Sequence, residues 1–86
     1  MQHLLPHADH REHAIVLAAG LHWSVIGEFT SPPSGSTAAF IASDVRLVND
    51  DGSETADMLH HLAPVFVAQL ERQVIESLLE ERRGAA

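Results

Sequence analysis

The segment from residue 64 to about residue 83 constrains the fold most, because its apolar residues recur at the spacing of one face of an α-helix. Pro64 suits the first position of a helix and disfavours helical geometry in the residue before it, so we expect the helix to start there. Gly84 follows its expected end. The apolar stripe has a width typical of a helix packed on a sheet, and it consists of Phe66, Leu70, Val74 and Leu78, with Val67 beside them.

Alternating apolar residues upstream of this helix predict the strands of the sheet. Residues 21–29 alternate as a half-buried strand does, with Gly27 in the same row as the large apolar residues Leu21, Trp23, Val25 and Phe29. A further strand is predicted from about residue 38 to residue 48. One of its faces consists of Ile41, Val45 and Leu47, and the other carries Asp44 and Arg46.

Turn-forming residues separate these segments. The stretch 30–37 (TSPPSGST) cannot propagate a strand ladder and is predicted to be a loop. Residues 49–52 (NDDG) predict a turn in which Gly52 takes the left-handed conformation. Asp57 can then cap a short helical turn over 58–62 by accepting hydrogen bonds from exposed backbone N–H groups.

Residues 13–18 (HAIVLA) allow two interpretations. Their β-branched residues and the following Ala19-Gly20 pair favour a strand that enters a tight hairpin turn, since glycine accepts a positive φ. The alternative is a helix from Pro6 to Ala19 that ends at Gly20. We favour the hairpin and interpret the polar, histidine-rich residues 1–12 as a poorly ordered arm.

Together these elements predict one α+β domain over residues 13–83, a three-stranded antiparallel β-meander packed against one long C-terminal amphipathic helix. A chain of 86 residues can bury one core. It has no cysteine, which excludes disulfides, thiolate metal sites and cysteine nucleophiles. The longest apolar runs are too short to span a bilayer, so we expect a cytoplasmic protein with no membrane contact.

The charged residues exclude further classes of function. The formal net charge is −7, and all five cations are arginines. Without lysine, a catalytic Schiff base or a lysine phosphate clamp is impossible. Direct nucleic-acid binding is not expected, because clustered basic residues are lacking. No serine lies in a known catalytic motif and no glycine-rich phosphate loop is present, so we predict neither an enzyme nor a cofactor.

The order of elements resembles that of a group of small phage and prophage proteins of unknown function. The resemblance extends over about residues 13–81 and depends on LHWSVIGEF (21–29), SPPSGS (31–36), IASDVRLV (41–48), DDG (50–52) and ADMLHHLAPVFVAQLERQVIESLLEE (56–81). It implies a hairpin, a third strand and an acidic final helix, and a phage-related origin. It carries no catalytic residue across. Ala63 departs from the group, whose members often have a serine cap before the proline.

Histidines near the start of the chain are candidate metal ligands. On a helix, His3, His7 and His10 would share one side, and imidazole is a good ligand for Zn²⁺ or Ni²⁺. An alternative function is therefore a His-rich metal-binding protein with a site at His7, His10 and His13. A solvated arm that binds metal adventitiously explains the same pattern, and we predict no dedicated metal site.

Five carboxylates lie within 14 residues, at Asp44, Asp50, Asp51, Glu54 and Asp57. Their spacing does not match a calcium-binding loop. Asp50, Asp51 and Glu54 suggest the first alternative to an interaction protein, ahead of the metal-binding one: an acidic mimic of nucleic acid that inhibits a host defence protein. The alternative is that these carboxylates have no binding role and belong to a solvated turn in which one aspartate caps a helix.

The helix also carries apolar residues outside its main stripe. At 100° per residue, Ile75, Leu79 and Val65 lie beyond the stripe, on a side that a small sheet reaches poorly. A symmetric pair of chains would cover them, although the N-terminal segment is an alternative cover. We therefore predict a small non-enzymatic phage-type protein that acts by protein–protein interaction as a homodimer, with a host protein as a possible further partner.

Overall fold

The computed structural model of the chain describes residues 11–30 and 38–85. Three strands form an antiparallel sheet in the order β1-β2-β3, namely β1 (Arg11–Ala18), β2 (Leu21–Thr30) and β3 (Ala39–Val48). A 3-10 helix (Leu59–His61) precedes the long helix α1 (Pro64–Ala85). This architecture confirms the predicted α+β class and the start of the helix at Pro64.

The hairpin interpretation of the first segment is confirmed. β1 and β2 are joined by the two-residue turn Ala19-Gly20, whose φ angles are 54° and 77°. Two positive φ angles define a type I′ turn, which matches the twist of a hairpin. Ala19 adopts the left-handed conformation here, which costs a residue with a side chain roughly 1–2 kcal/mol. β1 starts at Arg11, two residues before the predicted start of the domain, and residues 1–10 of the predicted arm lie outside the described part of the chain.

A β-bulge corrects the prediction for the third strand. Ile26 pairs with Asp44 and Gly27 pairs with Ala42, so Ser43 is the extra residue of β3. One extra residue reverses the alternation of faces. The prediction that Ile41 shares the buried face of Val45 was therefore wrong: Ile41 is 70% exposed, whereas its neighbour Phe40 is buried.

The bulge requires glycine on the neighbouring strand. A Cβ on Gly27 would overlap the carbonyl oxygen of Ile41, and it would lie 2.7 Å from Cζ of Phe40 and 2.8 Å from Cα of Ala42. Only a residue without a side chain lets β2 approach the bulged strand this closely.

One face of the sheet and the inner stripe of α1 form the core. Its fully or nearly fully buried apolar residues are Val16, Ala18, Trp23, Val25, Phe29, Phe40, Val45, Leu70, Val74 and Leu78. The predicted stripe of α1 is confirmed, with Phe66 partly buried at its start. Trp23 donates its Nε1–H to the carbonyl of Ala18 at 2.9 Å, and its ring meets that of Phe66 edge to face at 5.3 Å. These contacts fix the first turn of α1 above the hairpin end of the sheet.

Candidate interaction surface

The face of the sheet opposite α1 is the open face. Each row across this face has one residue from β1, one from β2 and one from β3. From the hairpin end, the four rows are Leu17–His22–Val48, Ile15–Ser24–Arg46, His13–Ile26–Asp44 and Arg11–Glu28–Ile41. Ile15, Leu17 and Ile41 are 54%, 56% and 70% exposed. Ile15 and Leu17 are neighbours on the open face of β1, and contiguous exposed apolar residues are a feature of interaction surfaces.

A serine–histidine contact lies in the middle of the open face. Nε2 of His13 lies 2.6 Å from Oγ of Ser24, and Ser24 is 1% exposed. A nucleophilic serine also needs a third group that orients the histidine. Within residues 11–30 and 38–85, no hydrogen bond to the second ring nitrogen of His13 is present. We interpret the contact as the hydrogen bond that satisfies a buried hydroxyl.

Sequence reasoning missed this pair, although a signal existed. The signal is the two-residue turn, which fixes the register of the hairpin. In that register Ile26 lies opposite His13, and Ser24 is the diagonal neighbour of His13 on the same face.

The outer edge of β3 is covered by the segment that follows it. The outward N–H of Val45 donates to Oδ1 of Asp57 at 2.9 Å, and its carbonyl accepts from the N–H of Met58 at 2.6 Å. Leu47 donates to Oγ1 of Thr55 and accepts from the Thr55 N–H, both at 3.0 Å. No partner strand can pair with main-chain groups that are already bonded in this way.

A residue of α1 extends this protection to the bulge. The N–H of Ala42 donates to Oε2 of Glu71 at 2.9 Å. The two residues are 29 positions apart, so the helix must dock before this edge donor is satisfied. The edge of β3 is thus protected at Ala42, Val45 and Leu47 by three acceptor side chains.

Main-chain N–H and C=O groups of successive residues point to opposite sides of a strand, and this alternation shows which groups of β1 point outward. Because Val45 and Leu47 bond outward, Asp44 and Arg46 bond to their partners in β2, which are Ile26 and Ser24. The odd-numbered residues of β2 therefore bond to β1. The hairpin requires the same, because Ala18 and Leu21, which flank its two-residue turn, form a hydrogen-bonded pair.

The N–H and C=O groups of four β1 residues therefore point away from the sheet, and these residues are Arg11, His13, Ile15 and Leu17. They form the outer edge of β1. No strand of the described part of the chain pairs with it. Unlike the edge of β3, it has no side-chain hydrogen bonds from the described residues.

Asp57 combines two structural roles. Its Oδ1 accepts from the N–H of Val45 and from that of Leu59, both at 2.9 Å, so it joins β3 to the start of the 3-10 helix. These two backbone hydrogen bonds lower the pKa of Asp57 below its ordinary value. The predicted cap is confirmed at Leu59.

The remaining acidic residues have separate environments. Asp44 forms an ion pair with Arg46 at 2.8 Å. Asp51 accepts from the N–H and Oγ of Ser53, which lowers its pKa. Asp50, Asp51 and Glu54 are exposed, and Glu54 forms a β-bridge with Val48. Gly52 has a φ of 90°, as the predicted turn requires. The nucleic-acid mimic stays a prediction, and two of its five clustered carboxylates are engaged with β3.

The helix residues predicted to mediate self-association do not form one exposed stripe. Val65 is 79% exposed. Ile75 and Leu79 are partly buried and pack against the core. The packing of α1 in the fold therefore partly covers Ile75 and Leu79, which an idealised helical projection places outside the stripe.

The predicted metal ligands are not brought together in the described residues. His7 and His10 lie outside them, and His13 contacts Ser24. No group of three or more His, Asp or Glu side chains suited to a metal ion is found in residues 11–30 and 38–85. Over the same ranges, no helix has both the length and the apolar character needed to cross a bilayer.

A shallow cleft of about 470 Å³ lies between the start of β3 and α1. Its lining is mainly apolar and includes Phe40, Ala68 and Ile75. The carboxylate of Glu71 beside it is already bonded to Ala42. We therefore place the candidate site on the sheet rather than in this cleft.

Comparison of the chain with protein-family models, curated proteins and solved structures finds no match. The resemblance to small phage proteins thus remains a prediction, and the case for function depends on the sheet itself.

Proposed function

We propose that this chain is a non-enzymatic protein that acts by binding other polypeptides, first of all a second copy of itself. The observation that carries the proposal is the exposure of Ile15 and Leu17 beside the outer edge of β1. These two aliphatic side chains are exposed next to main-chain donors and acceptors that lack partners within the described residues. Apolar contact and hydrogen bonding are therefore available at the same place.

The open face supports this assignment better than the helix does. Ile75 and Leu79 pack against the core, so they have less area to offer a partner than the helical projection predicts. Val65 alone of the three predicted helix contacts is highly exposed. The phage-related origin, the cytoplasmic location and a host protein as further partner belong to the proposal and come from the resemblance and the composition.

Sedimentation equilibrium over a range of concentrations tests the proposal. We expect the full chain to form a dimer at tens of micromolar. Ile15→Lys should weaken association at least about tenfold, because it adds a charge to the contact. Ile41→Lys is the matched control, since Ile41 is also an exposed isoleucine of the open face but lies on β3.

The helix alternative is tested by the double variant Ile75→Glu with Leu79→Glu. If these residues belong to the core edge, the variant loses stability and the dimer of the remaining folded protein persists. A fully stable, monomeric double variant would support the helix as the interface instead. A wild-type chain that stays monomeric at hundreds of micromolar would contradict self-association through either surface.

A further inference from the structure

We infer that the outer edge of β1 pairs antiparallel with β1 of a second copy, so that two three-stranded sheets become one six-stranded sheet. The inference rests on the proposed self-association and assigns its interface. It also joins the two open faces into one larger surface that includes Ile15 and Leu17 of both copies.

The contrast between the edges explains why such pairing stops at two copies. A protein with two accessible strand edges can add copies indefinitely and form fibres. Here Asp57, Thr55 and Glu71 block β3, which leaves β1 as the accessible edge of the described sheet. Two β1 edges facing each other across a two-fold axis close the assembly.

The residues of β1 fit a pairing centred on Ala14. In that register Arg11 lies opposite Leu17 of the second copy, and His13 lies opposite its Ile15. All four outward-pointing residues of each strand then find partners, which gives about eight main-chain hydrogen bonds. Ala14 meets Ala14 on the side of the sheet that carries α1, where small side chains leave room for the two helices.

Charge also favours a second copy at this edge. Arg11 and Glu12 give β1 a formal charge of zero, whereas the whole chain carries −7. In the antiparallel register the charged first half of one strand faces the apolar second half of the other, so no like charges lie directly opposite. The edge is therefore a place where two acidic chains can approach with little local repulsion.

Amide hydrogen exchange of the full chain tests the inference residue by residue. We expect the N–H groups of His13, Ile15 and Leu17 to exchange rapidly in dilute solution and to become protected as the dimer forms. The N–H groups of Ala14 and Val16 bond within the sheet and should be protected throughout. Packing of the two open faces against each other would leave the outward amides unprotected.

The outcomes separate this inference from the proposed function. A dimer in which these three amides still exchange rapidly would overturn the edge pairing and leave self-association intact. Protected amides in a chain that sedimentation shows to be monomeric would mean that another segment of the same chain covers the edge, which would also overturn it. A monomer with rapidly exchanging amides would overturn both proposals.

A single cysteine tests the register, because the chain contains none of its own. Ala14→Cys should form a disulfide-linked dimer under mild oxidation, since directly opposed residues at such a position have Cα atoms within disulfide range. Ile41→Cys, exposed on the other edge strand, is the control and should cross-link far more slowly. Equal cross-linking of the two variants would contradict the pairing of β1 with β1.

Discussion

The two edge strands of the sheet differ in how their outward main-chain groups are satisfied. Along β3, Val45 and Leu47 are bonded by the segment that follows the strand, and Ala42 is bonded by α1. Along β1, no equivalent bonds come from the described residues. Edge strands are the usual sites of unwanted pairing. Within the described residues one edge is protected and the other is not, and the proposed association through β1 is based on this contrast.

The largest expected effect comes from the bulge at Ser43, which lies within the protected part of β3. Gly27→Ala should lower the free energy of unfolding by about 3 kcal/mol or more, because the new Cβ would overlap backbone atoms of β3 that cannot move independently. Urea denaturation measures the loss. Ser43→Ala is the control, since it removes only a 3.2 Å side-chain hydrogen bond to Ile26. A fully stable Gly27→Ala variant would contradict the close approach of the strands.

Removal of Asp57 should break the protection of β3 itself. Asp57→Ala leaves the N–H groups of Val45 and Leu59 without their acceptor, and we expect a loss of about 2 kcal/mol. The uncovered edge should also promote higher oligomers, which light scattering detects. Asp57→Asn retains an oxygen acceptor and should lose less. Asp50→Ala, an exposed acidic control, should change stability by less than about 0.5 kcal/mol.

The lowered pKa of Asp57 predicts that the stability of the fold decreases at acidic pH. The pKa of Asp57 in the folded state is lower than in the unfolded state, where an aspartate has a pKa of about 3.9. The ionised form therefore stabilises the fold above that pH, and this contribution is lost as the pH falls through the folded pKa. Unfolding measured between about pH 2 and pH 6 should show a smaller acid-induced loss in Asp57→Asn than in the wild type. Equal losses would contradict the role of the charge.

A substitution in the turn between β1 and β2 should raise the stability of the hairpin that carries the outer edge of β1. Ala19→Asn should raise the free energy of unfolding by about 0.5–1 kcal/mol, because asparagine adopts the left-handed conformation of a type I′ turn more readily than alanine does. Thermal denaturation measures the gain. Since the substitution leaves the outer edge of β1 unchanged, the dimer affinity should stay within about twofold of the wild type. A loss of stability would contradict the turn type.

Salt should have the smallest effect and should act on association alone. Two chains of charge −7 repel each other at long range, although the formally neutral β1 does not. Raising the ionic strength from about 0.01 M to about 0.15 M shortens the Debye length from about 30 Å to about 8 Å. The dimer should therefore become tighter by a few-fold. Weaker binding in salt would indicate an interface held by opposite charges instead.

Local patterns in the sequence predict the helix, the hairpin and the turns, but they do not predict which residues of β3 face the core or which strand edge is protected. The stripe of α1, the hairpin and the left-handed Gly52 depend on short-range spacing, which a single sequence displays. Ile41 was assigned to the wrong face because Ser43 gives no local sign of a bulge. Its only signal is Gly27, an isolated glycine on the neighbouring strand.

The candidate interaction surface depends on contacts between distant parts of the chain. Glu71 reaches Ala42 across 29 positions, and Asp57 reaches Val45 across 12. Which edge is protected follows from the docking of these residues, so periodicity alone could not assign it. Periodicity instead predicts an interface on α1, because Ile75 and Leu79 lie outside an idealised stripe, and that interface stays a prediction.

We propose that the two edges of the described sheet differ in accessibility and that β1 rather than β3 gains a partner. Amide exchange at increasing protein concentration tests it within a single sample. We predict that Ala42, Val45 and Leu47 are protected at every concentration, while His13, Ile15 and Leu17 become protected only as the dimer forms. Concentration-dependent protection at Ala42, Val45 and Leu47, with none at the outer edge of β1, would contradict the account.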